Sequence, residues 1–592
     1  MLIIFGGLMI AGLAGSDGDT GIRNHSILYL DLSGMIEERQ QNASFADVVQ
    51  GNISNSPTLR EYIEALDKAK DDDRIEGVVL NCAGAGMGFA TCEELLEALS
   101  AFREEASDKW VYAYSDGYEQ GDYLLATVAD KIFMNPLGGV NLHGIASQIP
   151  FFKGLMDKVG VRMQIVKVGS FKSAVEPFIL TSASEPSRLQ TQTYVDSIWS
   201  FMRDVVAANR GLEPERVTAL ASEFLVARGA NAALEAGLVD SLVYFRGFED
   251  YLRELTGIER DDDLRYVSPT KLLGEVSADA AKIFEAAMAQ SRNADKKKAD
   301  KPAHGEHIAV LYATGDITDN DGNGIVGSQM VPEIVALADD DDVRALVMRV
   351  NSGGGSAFAS EQIWEALEYF KSKGKRFYVS MGDYAASGGY YISCGADLIF
   401  ADATTLTGSI GVFGMFPDAS QLITGKLGVN FTTIESNSNA MPPSLVSPLT
   451  AEQASALQES VEATYDLFTK RVAAGRNMPQ DEVKKIAEGR VWVGTSALQL
   501  GLVDRLGSLE TAIAKMKDEL GDTHISVVFY PEAEEDFWTM VARSGALEDV
   551  RTAFAPATPA LDAETLELLE YVARLRTLAP VQARMEPVIF EK

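Results

Sequence analysis

The sequence is poor in the residues that bind metals. Only three cysteines (Cys82, Cys92 and Cys394) and five histidines occur among its 592 residues. Neither a Cys-x-x-Cys pair nor a Cys/His zinc spacing is present, so we expect no metal site. Cys82 and Cys92 could pair in an oxidising compartment, but a buried free thiol is the more common state of such a residue.

Basic residues are also scarce relative to acidic ones. The chain carries 52 Lys and Arg against 86 Asp and Glu, which gives a net charge of −34. An electrostatic field of this sign repels nucleic acid. We therefore expect no nucleic-acid partner.

The apolar run at the amino terminus is shorter than a membrane span. Residues 1–14 (MLIIFGGLMIAGLA) are almost wholly apolar, but a spanning helix needs about 20 residues. No basic residue precedes the run, as one would in a complete signal peptide. We interpret residues 1–14 as the remnant of a membrane anchor. The alternative is a signal-peptide core with Ala14 near the cleavage point, and both interpretations place the body outside the cytoplasm.

Two long segments repeat one pattern of strands, glycine turns and helices. The matching stretches are DDDRIEGVVLN (71–81) with DDDVRALVMRVN (340–351), ADKIF (129–133) with ADLIF (396–400), and ALEAGLVD (233–240) with ALQLGLVD (497–504). Strands alternate with helices in both segments, which predicts an α/β fold with parallel sheets and crossover helices.

The repeat divides the chain into five parts. They are an apolar anchor remnant (1–14), a first α/β copy (25–245), a helical segment with a polar linker (246–306), a second α/β copy (307–510) and a mostly helical carboxy-terminal extension (511–592). Within the extension we predict one strand at 525–530 and helices around 562–578.

The copies differ at a turn that suits a nucleophile. Ser387, in MGDYAASGGYYI, follows an apolar run and precedes a predicted helix, so its Oγ would lie near free helix N–H groups. Aligning ADKIF with ADLIF places Gln120 opposite Ser387, and Gly121 opposite Gly388. The alternative is a serine that only caps the helix.

Lys172 belongs to the first copy and has no counterpart in residues 434–445 of the second. A serine nucleophile needs a base, and of the histidines only His143 lies in a conspicuous motif, where a structural role is expected. A Ser-Lys dyad is a known variant that requires a neutral lysine, and burial favours that state. The apolar neighbours of Lys172, Phe171 and Val175 among them, suit burial, whereas the alternative is an ordinary surface lysine.

Two further turns fit acyl transfer. The turn NSGGGS (351–356) has backbone N–H groups, Gly354 among them, that could stabilise an oxyanion together with Gly388. It lacks the Gly-Lys-Ser/Thr of a phosphate-binding loop. In TGSIG, Ser409 is placed to orient the lysine amine, with Leu142 at the aligned position of the first copy. A plain turn serine is the alternative.

These motifs, together with KSAVEPF (172–178), resemble the signal peptide peptidase A family (protease IV, peptidase family S49) in its long two-repeat form. The resemblance implies two tandem ClpP/crotonase-like repeats and a serine peptidase anchored in the inner membrane, facing the extracytoplasmic side. It also implies a bowl-shaped homotetramer that degrades released signal peptides and other hydrophobic peptides. Carried over by position, Ser387 is the nucleophile, Lys172 the general base and Ser409 the residue that positions the lysine. Gly353 stands where many members have proline.

The sequence thus predicts an ATP-independent Ser-Lys endopeptidase, an interpretation that implies no metal and no organic cofactor. Two rival interpretations stay open at this point. One is a crotonase-like acyl-CoA enzyme, because glycine-rich oxyanion turns also suit thioesters, and the other is a non-catalytic membrane scaffold. The pairing of a serine in one copy with a lysine in the other counts against both.

Overall fold

The computed structural model describes residues 21–39, 57–274, 304–322, 324–437, 439–531 and 582–584. The predicted anchor remnant (1–14), residues 275–303 of the predicted linker and the helices expected around 562–578 lie outside the described residues. Within the described ranges, no helix combines the length and the apolar character that crossing a bilayer requires.

The first copy is built on a parallel sheet. The strands of this copy are β1 (Ser26–Leu32), β2 (Ile75–Cys82), β3 (Trp110–Ser115), β4 (Lys131–Met134), β5 (Arg162–Val168), β6 (Ser241–Leu242) and β7 (Arg265–Val267). All of them except β5 belong to the parallel sheet. The order across the sheet is β6-β4-β3-β2-β1-β7, with every neighbouring pair parallel. The central strand β2 is a nearly continuous buried apolar run, as expected for a parallel sheet covered on both faces.

Helices connect these strands. They are α1 (Leu59–Asp71), α2 (Phe89–Glu105), α3 (Gln120–Ala126), α4 (Lys153–Val159), α5 (Glu176–Ile179), α6 (Glu185–Arg210), α7 (Pro214–Ser222), α8 (Ala230–Glu235), α9 (Phe245–Thr256) and α10 (Pro269–Leu273). The long helix α6 begins after Ser184, whose Oγ accepts the N–H of Ser187, and ends at Gly211, which has a φ of 63°. Both ends follow the usual capping chemistry.

The second copy repeats this architecture. Its strands are β8 (His307–Thr314), β9 (Ile317–Thr318), β10 (Ile325–Val326), β11 (Val343–Ser352), β12 (Gly354–Ser356), β13 (Arg376–Ala386), β14 (Leu398–Ala401), β15 (Leu406–Gly408), β16 (Val412–Asp418), β17 (Val491–Val493), β18 (Arg505–Leu506) and β19 (Ser526–Tyr530). Its helices are α11 (Gly327–Asp339), α12 (Ala357–Ser372), α13 (Gly388–Ser393), α14 (Ala451–Gly475), α15 (Gln480–Ile486), α16 (Gly494–Gln499) and α17 (Leu509–Leu520).

The main sheet of the second copy has the order β17-β15-β13-β11-β8-β19, with β14 beside β13 and β18 beside β14. These pairs are parallel except β15 with β17. The prediction of two α/β copies with parallel sheets is confirmed. The expected tetramer stays a prediction.

A third sheet joins the two copies. Its order is β10-β9-β12-β20-β16-β5, where β20 is the short strand Gln582–Arg584. Strand β5 of the first copy runs antiparallel to β16 of the second, from Arg162 opposite Asp418 to Val168 opposite Val412. The apolar core is continuous as well, since Ala386 and Leu406 of the second copy pack in the core of the first. The copies therefore form one fused unit.

Candidate active site

Ser387 occupies the sharp turn between β13 and α13. Its φ of 57° and ψ of −114° lie where residues other than glycine are rarely found. The N–H of Ser387 donates to Gly408 O at 2.8 Å, and its carbonyl accepts the N–H of Tyr391 at 2.8 Å. A strained residue persists only where its surroundings hold it, and such residues cluster at functional sites.

The second glycine after Ser387 brings two turns together. A Cβ on Gly389 would lie 2.6 Å from the carbonyl oxygen of Ser352, a backbone atom that cannot move aside at low cost. Ser352 is the last residue of β11 and leads into the glycine turn at 353–355. Glycine at position 389 therefore allows that turn to approach the first residues of α13.

Lys172 reaches Ser387 from the other copy. It lies in the loop between β5 and α5, and only 1% of its surface is exposed. Its Nζ lies 2.8 Å from Ser387 Oγ, 3.1 Å from Ser409 Oγ and 3.1 Å from the carbonyl oxygen of Ser409. The structure thus brings together the three side chains that the sequence singled out.

Two glycines make the slot that holds the lysine. A Cβ on Gly489 would lie 2.7 Å from Lys172 Cβ, and one on Gly411 would lie 3.3 Å from Lys172 Cδ. The N–H of Phe171 also donates to Glu488 O at 3.0 Å, which fixes the loop against the second copy. The aliphatic stem of Lys172 therefore packs directly on backbone.

Ser409 lies directly after β15 and has a φ of 47°. Its N–H donates to the carbonyl oxygen of Arg490 at 2.7 Å, so Ser409 is held against the residue that directly precedes β17. Leu142, at the aligned position of the first copy, is a buried apolar side chain. Only the second copy therefore offers a hydroxyl at this position to a lysine.

The two candidate oxyanion donors differ in their surroundings. Gly388 is the first residue of α13, where a backbone N–H has no intrahelical acceptor. Gly354 has a φ of 100°, and its N–H donates to Ser352 Oγ at 3.1 Å. That hydroxyl in turn donates to Gly315 O at 2.6 Å.

The comparison with known families decides the family. A family model described as Peptidase family S49 matches residues 103–259 and 369–522, more than half of the chain. The chain belongs to peptidase family S49. The first match contains Lys172, and the second contains Ser387 and Ser409. A model described as Clp protease also matches residues 310–400, which include the strands β11 and β13.

Curated relatives agree with this assignment. Protease 4 of Haemophilus influenzae is 33% identical over 525 residues, which cover 86% of this chain and 82% of that protein. The chloroplastic serine protease SPPA of Arabidopsis thaliana is 28% identical, over 96% of this chain and 79% of that protein. A putative signal peptide peptidase SppA of Enterococcus faecium is 33% identical over 39% of this chain and 69% of that protein. The chain is thus a serine protease of family S49.

The S49 site is held by reciprocal contacts between the copies. Asp383, just before the Ser387 turn, accepts the N–H groups of Ala90 and Thr91 at 2.9 and 3.1 Å, at the start of α2. Glu93 of α2 accepts the N–H groups of Ala403 and Thr404 at 2.9 and 3.0 Å. A carboxylate of each copy therefore accepts backbone N–H groups of the other copy.

A buried charge cluster lies behind these contacts. Arg349 of β11 is fully buried and pairs with Glu38 at 2.6 Å and Glu94 at 2.5 Å, both from the first copy. Burial raises the pKa of Glu94 to about 7 against the opposing effect of Arg349. Burial and the neighbouring Glu94 raise the pKa of Asp402 as well. Arg349 therefore faces more buried carboxyl groups than it can neutralise, which favours the protonated form of Glu94 and Asp402.

A segment of the chain itself lies beside the S49 site. Strand β20 (Gln582–Arg584) runs antiparallel to β12, where Gly355 faces Ala583, and meets β16 where Phe413 faces Gln582. It also contacts α13, which starts directly after Ser387. The position between β12 and β16 is thus one that accepts an extended backbone.

Sequence reasoning missed several residues that build this site. Gly411, Gly489 and Asp383 act through contacts with the other copy, and nothing in the local sequence marks such contacts. A glycine in the interior of a strand is a general signal of close backbone approach, but Gly489 lies two residues before β17 and does not carry that signal.

Proposed function

We propose that this S49 protease is an endopeptidase with a Ser-Lys dyad formed between its two copies. Ser387 is the nucleophile, Lys172 the general base and Ser409 the residue that orients the amine. The observation that carries the proposal is the 2.8 Å separation of Lys172 Nζ and Ser387 Oγ in a buried site. That separation is within reach of direct proton transfer.

The geometry supports a complete proton cycle. As Ser387 Oγ bonds to the scissile carbonyl carbon, its proton passes to the neutral amine of Lys172. The resulting ammonium is stabilised by the hydroxyl and carbonyl oxygens of Ser409. Breaking of the C–N bond then returns the proton to the leaving amine. Water attacks the acyl-enzyme next, giving a proton to Lys172, and Lys172 passes that proton to Ser387 Oγ as the ester C–O bond breaks and the acid product leaves.

The developing oxyanion needs backbone donors. The N–H of Gly388 is the favoured donor, because Gly388 is the first residue of α13 and its N–H has no acceptor within the helix. The N–H of Gly354 contributes only if the oxyanion replaces Ser352 Oγ as its acceptor.

An extended peptide is the substrate shape that the site favours. The space between β12 and β16 accepts strand Gln582–Arg584 by backbone pairing, and a peptide bound there would pair in the same way. We propose hydrophobic peptides, including cleaved signal peptides, as the substrates. The name of the Enterococcus faecium relative supports this choice.

We further propose that the enzyme works as a homotetramer at the inner membrane with its catalytic body on the extracytoplasmic side. The apolar residues 1–14 support membrane attachment. The tetramer rests on the family resemblance of the sequence motifs.

The test is labelling with a fluorophosphonate probe, with the modified peptide located by mass spectrometry. We expect label on Ser387 in the wild type and its loss in Lys172→Ala. The matched control is Lys153→Ala, which removes a half-buried lysine that pairs with Asp157, and it should label as the wild type does. Absence of label on folded wild-type protein, or full labelling of Lys172→Ala, would overturn the dyad.

A further inference from the structure

Gln190 is a buried polar residue at the junction of the two copies. It lies on α6 of the first copy, and 1% of its surface is exposed. Its side-chain amide contacts both the loop that carries Lys172 and the second copy. Burial of such a group is costly unless its hydrogen bonds are made.

The nitrogen of this amide holds the residues on either side of Lys172. Gln190 Nε2 donates to Phe171 O at 3.2 Å and to Ser173 Oγ at 2.7 Å. Phe171 and Ser173 are the direct neighbours of the lysine in the chain. The orientation of Lys172 is therefore constrained on both sides by one side chain.

The oxygen of the same amide holds the second copy. Gln190 Oε1 accepts the N–H of Val491 at 3.2 Å. Val491 pairs with Gly408 in the sheet, and Gly408 O accepts the N–H of Ser387 at 2.8 Å. The amide thus links the loop of the base to the strands that fix the nucleophile.

We propose that Gln190 is a positioning residue that sets the separation of Lys172 from Ser387. This inference rests on the proposed Ser-Lys function. An uncharged amide is suited to the position because it donates and accepts at once, whereas a carboxylate would place an oxygen against Phe171 O. Helix α6 supports the amide, since Tyr194 and Ile198 of the same helix are buried in the core.

The rate of the reaction depends on the distance between Lys172 and Ser387. The proton transfer uses a contact of 2.8 Å between Lys172 Nζ and Ser387 Oγ. A displacement of about 1 Å at such a contact costs up to about 100-fold in rate. Loss of the amide should lower the rate of acylation more than it alters binding of the peptide.

The experiment compares Gln190→Met with Gln192→Met in the full chain. Methionine keeps the volume and apolar stem of glutamine but makes none of its hydrogen bonds. Gln192 lies on the same helix and is exposed, so the second variant is the matched control. We expect Gln190→Met to lower kcat for an apolar fluorogenic peptide by about 10- to 100-fold with KM changed less than about threefold. The control should match the wild type.

A double-mutant cycle separates positioning from general structural damage. Hydrolysis of a p-nitrophenyl ester is measured for the wild type, Gln190→Met, Lys172→Ala and the double variant. If Gln190 acts through Lys172, its replacement should cause no further loss once the lysine is gone. A loss of equal size in both backgrounds would overturn the proposal.

The outcomes distinguish this inference from the function on which it rests. If the wild type does not react with the fluorophosphonate at Ser387, the dyad itself fails. If the wild type reacts and Lys172→Ala does not, but Gln190→Met keeps the wild-type kcat, only the positioning role fails. Should Gln190→Met not fold, Ser173→Ala removes one partner of the amide instead. That variant should react about three- to tenfold more slowly, and a wild-type rate would overturn the proposal.

Discussion

The two copies use the same turn in opposite ways. In the first copy, Gln120 stands where the second has Ser387, and its Nε2 donates to Gly144 O at 2.9 Å. Its Oε1 accepts the N–H groups of His143 and Gly144 at 3.1 and 2.8 Å. In the second copy, the hydroxyl of Ser387 meets a lysine from the other copy. In the first copy, the side chain at the turn hydrogen-bonds to backbone of the same copy, whereas in the second copy the side chain at the turn contacts a lysine of the other copy.

The glycine turns show the same contrast. Asp122 of the first copy corresponds to Gly389, two positions after the serine. Its carboxylate accepts the N–H groups of Gly84 at 2.8 Å and Ala85 at 3.2 Å. Gly84, with a φ of 91°, matches Gly354, with a φ of 100°. The first copy thus holds a built-in carboxylate against the turn where the second is proposed to bind an oxyanion.

This difference separates stability from activity within one fold. Buried backbone donors that are satisfied inside the protein stabilise it, whereas donors kept for a substrate do not. Burial raises the pKa of Asp122 to about 6, against the two backbone N–H groups that oppose the shift. On the proposed function, the first copy therefore serves as framework and supplies Lys172, and the second supplies the nucleophile.

The largest effect on activity is expected from adding a side chain at Gly389 of the second copy. In Gly389→Ala, the new Cβ would lie 2.6 Å from Ser352 O, so the glycine turn must move away from α13. Loss of oxyanion geometry costs about 100- to 1000-fold in kcat. We expect a loss of that size in peptide hydrolysis, with circular dichroism close to that of the wild type.

The control for this variant comes from the first copy. A Cβ on Gly121, the residue after Gln120, meets no atom within 4 Å. Gly121→Ala should therefore keep wild-type activity. If Gly389→Ala were as active as Gly121→Ala, the close approach of the two turns would not matter for catalysis.

Replacing Gln120 by serine tests whether a serine at this turn is sufficient for reactivity. Gln120→Ser removes the acceptor of two backbone N–H groups, so the free energy of unfolding should fall by about 1–3 kcal/mol. Urea denaturation measures the change. The exposed Gln192→Ser is the control and should change stability by less than about 0.5 kcal/mol.

The same variant should gain no reactivity. Combined with Ser387→Ala, it should take no fluorophosphonate label at position 120, because Lys172 lies at the turn of the other copy and Asp122 occupies the backbone donors. Label at position 120 would show that the turn suffices without a lysine. The contrast between the copies would then lose its chemical meaning.

The turn motifs and the comparison of the two copies together selected Ser387, Lys172 and Ser409 from the sequence, and the structure brings their side chains into contact. Each differs from its counterpart in chemistry, and a fused pair can bring such residues together. The strand-like run 525–530 was also found and corresponds to β19. Differences between repeats are informative because the common fold removes the structural background.

The residues that hold the site were not predictable in the same way. Gln190 contacts Val491, and Asp383 contacts Thr91, across the interface between the copies. Their sequence neighbourhoods are ordinary helix and strand. Strand β20 was missed because three residues that pair with distant strands carry no periodic pattern of their own. Contacts of this kind depend on the packing of the copies.

The smallest effect concerns the strand that lies in the proposed peptide position. Deleting residues 582–592 removes β20 from between β12 and β16, which leaves both edges free for an extended substrate. If β20 competes with substrate, the competent fraction of enzyme rises on deletion, and KM should fall by about three- to tenfold with kcat unchanged. Deletion of 585–592 alone keeps β20 and serves as the matched control. A fall in kcat on removal of β20 would instead mean that this strand supports the β12 turn. The second copy would then resemble the first in closing its turn with the chain itself.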